Sequence, residues 1–382
     1  MAHYDSLIIG AGFAGATVAR ELAEKKGQHV LVLERRNHIG GNAYDRLDDA
    51  GVLIHQYGPH IFHTTNRVVF DYLSRFTAFR DYQHRVVANV YGQLMPVPFN
   101  LTSLEIAFEG NAAALEKKLV ETYGAEKKVT ILELRRSEDP EIRELAEYVY
   151  ENVFVHYTKK QWDQSPEEID PNTTARVPVF LSRDDRYFQD PYQGMPQNGY
   201  TALFAGLLGH ENIEVQLGTD AATRVKFVDG KVFLDGEKFE GNVVYTGAAD
   251  ELFDCRFGRL PYRTLDFQFE THKTEWFQTH GTVNYTVTEP FTRITEFKHL
   301  TGQQLKDRTT IAKEFSRAYT GTPGETPYYA IMSDENNALY GKYKALASQY
   351  PNLHLLGRLA EYQYYNMDAI VARALALAET LQ

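Results

Sequence analysis

Leu7-Ile8-Ile9-Gly10-Ala11-Gly12-Phe13-Ala14-Gly15, a helical run to Lys25, Gly27, and then His29-Val30-Leu31-Val32-Leu33-Glu34 decide how this chain folds. Three apolar residues run straight into a glycine turn, the pattern of a strand leaving a buried sheet. From Ala14 onward Val18, Ala19 and Leu22 share one helical face, and Gly27 ends the helix. A second apolar run closes on an acid, which completes a strand–helix–strand start. Each glycine of the turn has its own task. Gly10 permits the tight turn off the strand, Gly12 lets backbone approach a pyrophosphate, and Gly15 lets helix and strand pack closely. The helix N-terminus offers unpaired N–H groups and a positive dipole end to phosphates. Glu34 can accept both hydroxyls of an adenosine ribose and would repel a 2′-phosphate.

Just downstream, Arg35-Arg36-Asn37-His38-Ile39-Gly40-Gly41-Asn42 adds a second glycine pair. An NAD site has no need of it, whereas a flavin site uses a second close backbone approach. The Glu-Arg-Arg…Gly-Gly-Asn pattern resembles the glutathione-reductase-like flavoproteins and so implies FAD, with Arg35, Gly40, Gly41 and Asn42 joining the cofactor site. The same resemblance implies that Leu355-Leu356-Gly357-Arg358 returns to the cofactor, with Arg358 near its phosphates. It also implies that the helix opened by Met367-Asp368 faces the flavin.

The chain has 382 residues, 43% hydrophobic and 24% charged. That suits two or three globular domains and is too apolar for a disordered protein. Forty basic against 51 acidic residues leave a net charge of −11, which argues against non-specific nucleic-acid binding. A pocket for an anion must then be built from particular arginines. The single cysteine, Cys255, excludes an internal disulfide and a cysteine zinc cluster. No apolar run is long enough to span a membrane and no leader pattern precedes the first strand, so the expectation is a cytoplasmic protein without membrane association or metal. Twenty-five Tyr and 22 Phe against 2 Trp are enough aromatic side chains to line a pocket.

The expected fold is α/β: a Rossmann-like FAD-binding domain from residues 1–80, 198–252 and 340–382, a helical insertion over 100–176, and an antiparallel sheet domain from 81–99, 177–197 and 253–339. Helical patterns cover Leu104–Phe108, Ala112–Tyr123 and Ile142–Val155, with Pro140 in the first turn of the last. Thr264–Glu270 and Gly281–Val287 alternate as antiparallel strands. Residues 163–178 carry three prolines and read as a loop.

Several segments together resemble the bacterial UDP-galactopyranose mutases. They include Gly58-Pro59-His60-Ile61-Phe62-His63-Thr64, Tyr157-Thr158-Lys159-Lys160-Gln161-Trp162, Arg176-Val177-Pro178-Val179, Tyr187-Phe188, Phe291-Thr292-Arg293-Ile294-Thr295-Glu296, Pro327-Tyr328-Tyr329 and Gly357-Arg358-Leu359. The match runs from the first strand to the last helix. It implies a redox-neutral interconversion of pyranose and furanose rings of a UDP-sugar by reduced FAD, whose N5 displaces UDP to form a flavin–sugar adduct. The cofactor then carries the covalent chemistry, which explains why no Ser/His/Asp triad stands out. The resemblance implies that Arg176 and Arg293 flank the diphosphate, with Tyr187, Tyr329 and Tyr364 donating hydrogen bonds. It places the uracil on Tyr157 with Phe154 and Trp162 nearby, sets His60 against the flavin and His63 in support, and makes Arg176 part of a closing loop. A homodimer is the family expectation.

Three departures stand out. Phe180 replaces the second arginine of an Arg-x-Pro-Val-Arg run, and Ala330 follows Tyr328-Tyr329 where the family has proline. Asn366 stands in Tyr364-Tyr365-Asn366-Met367-Asp368 where the family has aspartate. That last change removes a charge and swaps an acceptor for a donor beside the flavin and sugar. It leaves open a mutase acting on another nucleotide sugar, an FAD-dependent oxidoreductase on the same scaffold, or a catalytically silent nucleotide-sugar binder.

Overall fold

The computed structural model describes residues 3–162 and 178–382. Arg176 and all but the last residue of the proline-bearing loop lie outside the described residues. The first strand, Ser6–Ile9, is fully buried and pairs in parallel with Val30–Leu33 on one side and Asn242–Tyr245 on the other. Ile213–Gln216 and Leu353–Leu355 complete a five-stranded parallel sheet at its two edges. Its strands therefore come from four distant stretches of chain.

The glycine turn folds for the reasons its sequence suggests. Gly10 sits at φ +110°, and a Cβ there would lie 2.0 Å from Thr246 Oγ1. A Cβ on Gly15 would lie 1.9 Å from the Gly10 carbonyl oxygen, so only glycine lets the helix Phe13–Lys26 rest this close to the strand. Gly27 closes that helix in the left-handed conformation, its N–H bonded to Leu22 O. The last helix, Met367–Thr380, packs on the same core, with Val371 and Ala374 among Val18 and Leu22. This packing brings the chain's end back to its first turn.

A seven-stranded sheet forms the second layer, ordered Pro327–Ala330, Tyr262–His272, Thr309–Ala318, Arg293–Glu296, Thr282–Tyr285, Val86–Val90 and Gln93–Val97. All its pairings are antiparallel except Thr282–Tyr285 with Val86–Val90. Those two strands are far apart in sequence, so no hairpin dictates their direction.

A helical unit packs against this sheet around Leu115, Leu119, Ile142 and Leu145. Asp139 caps the helix Pro140–Val149 by accepting from Glu141 N and Ile142 N. The expected helix to Val155 does not continue as an α-helix. Tyr150–Val155 is a π-helical turn, followed by the α-helix His156–Trp162. The wider turn re-aims every side chain after it relative to the apolar stripe before it.

Candidate active site

A cavity of about 480 Å³ opens where the glycine turn, the Gly40–Gly41 segment and the start of the last helix converge. Gly40 N donates to Ala11 O at 2.9 Å, which fastens the second glycine pair onto the first turn. A Cβ on Gly41 would stand 3.0 Å from Gly12 Cα, so two bare backbones meet at the cavity wall. Glu34 is buried, and each of its oxygens accepts one backbone N–H, from Ala11 and from Arg36, at 2.9 Å. That orients the carboxylate and leaves further lone pairs for hydroxyl donors.

Arg36, which the sequence reading passed over, is the cation aimed here. It lines the cavity, lies over the Tyr57 ring at 4.3 Å and donates to Asn42 Oδ1 at 3.0 Å. Its buried Nη1 has no hydrogen-bond partner among the described residues. No pattern in the sequence marks it out from Arg35, because both lie past the end of the strand Val30–Leu33. Arg35 also borders the cavity, but its Nη1 goes to Glu251 at 3.1 Å. An orphaned guanidinium nitrogen, two apposed glycines and a fixed carboxylate suit the pyrophosphate and ribose of a dinucleotide.

At the cavity's other end stand His60, Arg358, Asn366 and Met367. Arg358 Nη2 donates to Tyr365 O at 2.5 Å, and its guanidinium lies 4.7 Å from the Tyr364 ring centre. Asn366 is exposed and occupies the N-cap of the last helix, yet its side chain makes no cap hydrogen bond. Asp368 turns elsewhere, accepting from the Thr64 hydroxyl at 2.8 Å.

The Gly58–His60 turn joins this cavity to the large sheet. Gly58 has φ +90°, and a Cβ there would lie 2.8 Å from the Phe267 ring. Phe267 pairs with Glu314, Glu314 with Arg293, and Arg293 with Asn284, so these side chains form one row across four strands. Arg293 Nη2 donates to Glu314 Oε1 at 2.9 Å, and the carboxylate side chain is only 2% exposed. Asn284 Oδ1 and Arg293 Nε are both buried without a hydrogen-bond partner among the described residues. Asn284 and Glu314 had no distinguishing mark in the sequence, because only strand pairing sets them beside Arg293.

Aromatic residues ring this row. Burial pushes Tyr157 up to about 12, and Arg293, Glu314, Tyr187 and Tyr364 all contribute to its electrostatic surroundings. Tyr329 is pushed further up by burial, then by Tyr364 and Glu314, while Arg293 and Arg358 oppose the shift. Tyr329 stacks on Tyr364 at 5.8 Å and lies 5.6 Å from the Trp162 ring. Phe154, by contrast, is 3% exposed and packs into the helical core. His60 is half-buried, and desolvation, then His55, holds it down to about 3. Its Nδ1 lies 2.9 Å from Gly58 O, while His55 Nδ1 accepts its backbone N–H at 3.0 Å. His63 Nδ1 meets Asp190 at 2.7 Å and stacks on Phe188. Among the described residues no group of three or more His, Cys, Asp or Glu is placed to hold a metal, and no helix is long and apolar enough to cross a membrane.

Comparisons with known proteins bear on the family and the fold. A family model described as UDP-galactopyranose mutase matches residues 152–364, and an NAD(P)-binding Rossmann-like domain model matches residues 8–76. A dTDP-fucopyranose mutase of Escherichia coli is 36% identical, covering 98% of this chain and 97% of its own. A UDP-galactopyranose mutase of Mycoplasma pneumoniae is also 36% identical, covering 99% and 96%. A crystal structure of reduced UDP-galactopyranose mutase shares the fold with a TM-score of 0.72 at 17% identity, covering 99% of this chain and 94% of that one.

Proposed function

The chain belongs to the UDP-galactopyranose mutase family, and from that premise we propose that it interconverts the pyranose and furanose forms of a nucleotide-diphosphate sugar, UDP-galactose first among them. The cofactor of the proposal is FAD in its reduced state, and the reaction has no net redox change. The observation that carries the reading is the juxtaposition of Arg293, whose Nε has no hydrogen-bond partner among the described residues, with the half-buried Tyr157 and Tyr329 and with the cavity that His60 lines. When bound, reduced FAD supplies the nucleophile that frees the anomeric carbon from the diphosphate.

The protein's own residues do the rest. Arg293 meets charge that accumulates on the departing diphosphate, and a guanidinium suits this because it stays ionised and donates in a fork. Arg176 joins it in the proposal from outside the described residues. The phenols of Tyr157 and Tyr329 are protonated at neutral pH, as ordinary phenols are, and desolvation moves them further from ionisation, so they act as donors. Tyr157 takes the base by stacking, with Trp162 at the edge. His60 stays neutral through the physiological range, and Nδ1 directed at Gly58 O leaves Nε2 as an acceptor toward the cavity.

A second reading has a specific support. The Escherichia coli relative is named for a dTDP-sugar, and Asn366 stands where the family has aspartate, so the natural sugar of this chain is open to a different nucleotide. An oxidoreductase role fits less well, since the row across the sheet is charged rather than an apolar channel. The test is incubation of dithionite-reduced, flavin-loaded protein with UDP-galactofuranose and, separately, dTDP-fucofuranose, followed by chromatographic separation of ring forms. Conversion of neither sugar would overturn the proposal.

A further inference from the structure

The helix that carries Tyr157 and the strand that carries Arg293 belong to different layers, and their relative placement must be fixed by something. The connection between the strands Thr282–Tyr285 and Arg293–Glu296 is a loop too long to be a tight hairpin turn, and its own backbone ties it only at the base, where Tyr285 N donates to Thr292 O at 2.9 Å. Lys160 reaches into this loop. Its ammonium donates to Tyr285 O at 2.5 Å and to Glu289 O at 3.0 Å, gripping the loop at its start and near its tip. Tyr157 and Lys160 are three positions apart on one helix and so lie on one face. Lys159, its neighbour, is exposed.

A second tie comes from the loop side. Thr286 donates its hydroxyl to Asn152 O at 2.6 Å. Asn152 lies within the π-helical turn, whose altered register disturbs the ordinary pairing of helix carbonyls. The same helix is held from the sheet at Gln161 O, by Ser316 Oγ at 2.7 Å and Arg263 Nε at 3.2 Å. Helix and sheet are thus joined by donors that approach from both sides around the Arg293 loop.

We propose that Lys160 is a positioning residue for nucleotide binding: it clamps the Tyr285–Thr292 loop to the helix of Tyr157 and so sets Arg293 at the distance a base and a diphosphate require. The inference rests on the nucleotide-sugar reading of the site. The ammonium is half-buried, and its partners are two carbonyls rather than a carboxylate, so burial lowers its affinity for the proton while Glu289 opposes this. An ammonium kept there at such a cost serves geometry better than surface charge.

The test is a double-mutant cycle on flavin-loaded protein, with UDP binding read by calorimetry. Lys160→Met is expected to weaken UDP about tenfold, within the coupling range for groups sharing one network, and to change little in an Arg293→Ala background. Lys160→Arg should restore much of the loss, and Lys159→Met should leave affinity within about twofold. Equal losses in both backgrounds, or no loss at all, would overturn the clamp. If Lys160→Met yields no flavin-loaded protein, the same cycle with Thr286→Val, which unties the joint from the loop side, decides by the same two outcomes. Failure of the parent protein to bind either UDP or dTDP would instead count against the nucleotide-sugar reading itself.

Discussion

Arg293 and Glu314 allow stability and turnover to be pulled apart. Changing Arg293 to Ala removes the donor at 2.9 Å from a carboxylate side chain 2% exposed, whose remaining side-chain donor among the described residues is Thr292 Oγ1 at 3.3 Å. Stranding one member of a buried ion pair costs about 3–5 kcal/mol, so the flavin-loaded variant should unfold at clearly lower denaturant than the parent. Adding Glu314→Gln removes the stranded charge while keeping the shape, and most of that loss should return. Turnover should not return. If the guanidinium binds the departing diphosphate as proposed, its bonds are worth about 1.5–3 kcal/mol, or roughly 10- to 150-fold in rate. The measurements are urea unfolding and chromatographic ring interconversion on the parent, the single and the double variant. Recovery of both stability and turnover in Arg293→Ala/Glu314→Gln would refute the reasoning, because Arg293 would then only balance Glu314.

Gly15→Ala should abolish flavin retention, since its Cβ would stand 1.9 Å from Gly10 O, whereas Gly27→Ala, with nothing within 4 Å, should lose only about 1 kcal/mol and keep the flavin; absorbance per mole of protein checks both. Activity should require reduced flavin yet consume no reductant per turnover, and one NAD(P)H used per product would exclude the mechanism. Asn366→Asp should raise turnover on UDP-galactofuranose if a carboxylate belongs beside that sugar. No gain, alongside good activity of the parent on another nucleotide sugar, would mean that Asn366 is matched to the latter. Desolvation holds the buried His55 near 4 and both the half-buried His60 and the buried His84 near 3, against an ordinary value of 6.5. Below about pH 6.5 the unfolded chain takes up protons that the folded chain refuses, so this contribution is full above that pH and drains as pH falls toward 3–4. The loss is at most about 1.4 kcal/mol per histidine per pH unit, and a denaturation midpoint unchanged between pH 7 and 5 would contradict it.

The cofactor end of this protein was legible in its sequence because it is local. Within Leu7–Gly15 the strand, the turn and the helix start are set by neighbours in the chain, and the steric demands on Gly10 and Gly15 act on atoms that are close in sequence or in the adjoining strand. Capping behaves the same way: Asp139 before Pro140 and Gly27 after Lys26 do what their residue types dictate. The π-helical turn at Tyr150–Val155 escaped because its apolar spacing reads like that of an α-helix. Motif resemblance could name Tyr157, Tyr329 and Arg293, but it could not say which of their neighbours faces them.

Tertiary structure alone decided those neighbours. Glu314 becomes Arg293's partner only because Arg293–Glu296 pairs with Thr309–Ala318 in one particular register, and a slip of one residue would turn Glu314 to the opposite face. Arg36 was visible as an arginine beside another arginine, and the fold sent one to Glu251 and set the other in the cavity wall, its Nη1 without a partner among the described residues. Lys159 and Lys160 are adjacent and chemically identical in sequence, yet helix docking leaves the first exposed and drives the second into the loop before Arg293. Short-range sterics can be read along a chain. Which of two like residues is buried depends on the face that a distant layer covers, and that is settled only when the layers pack.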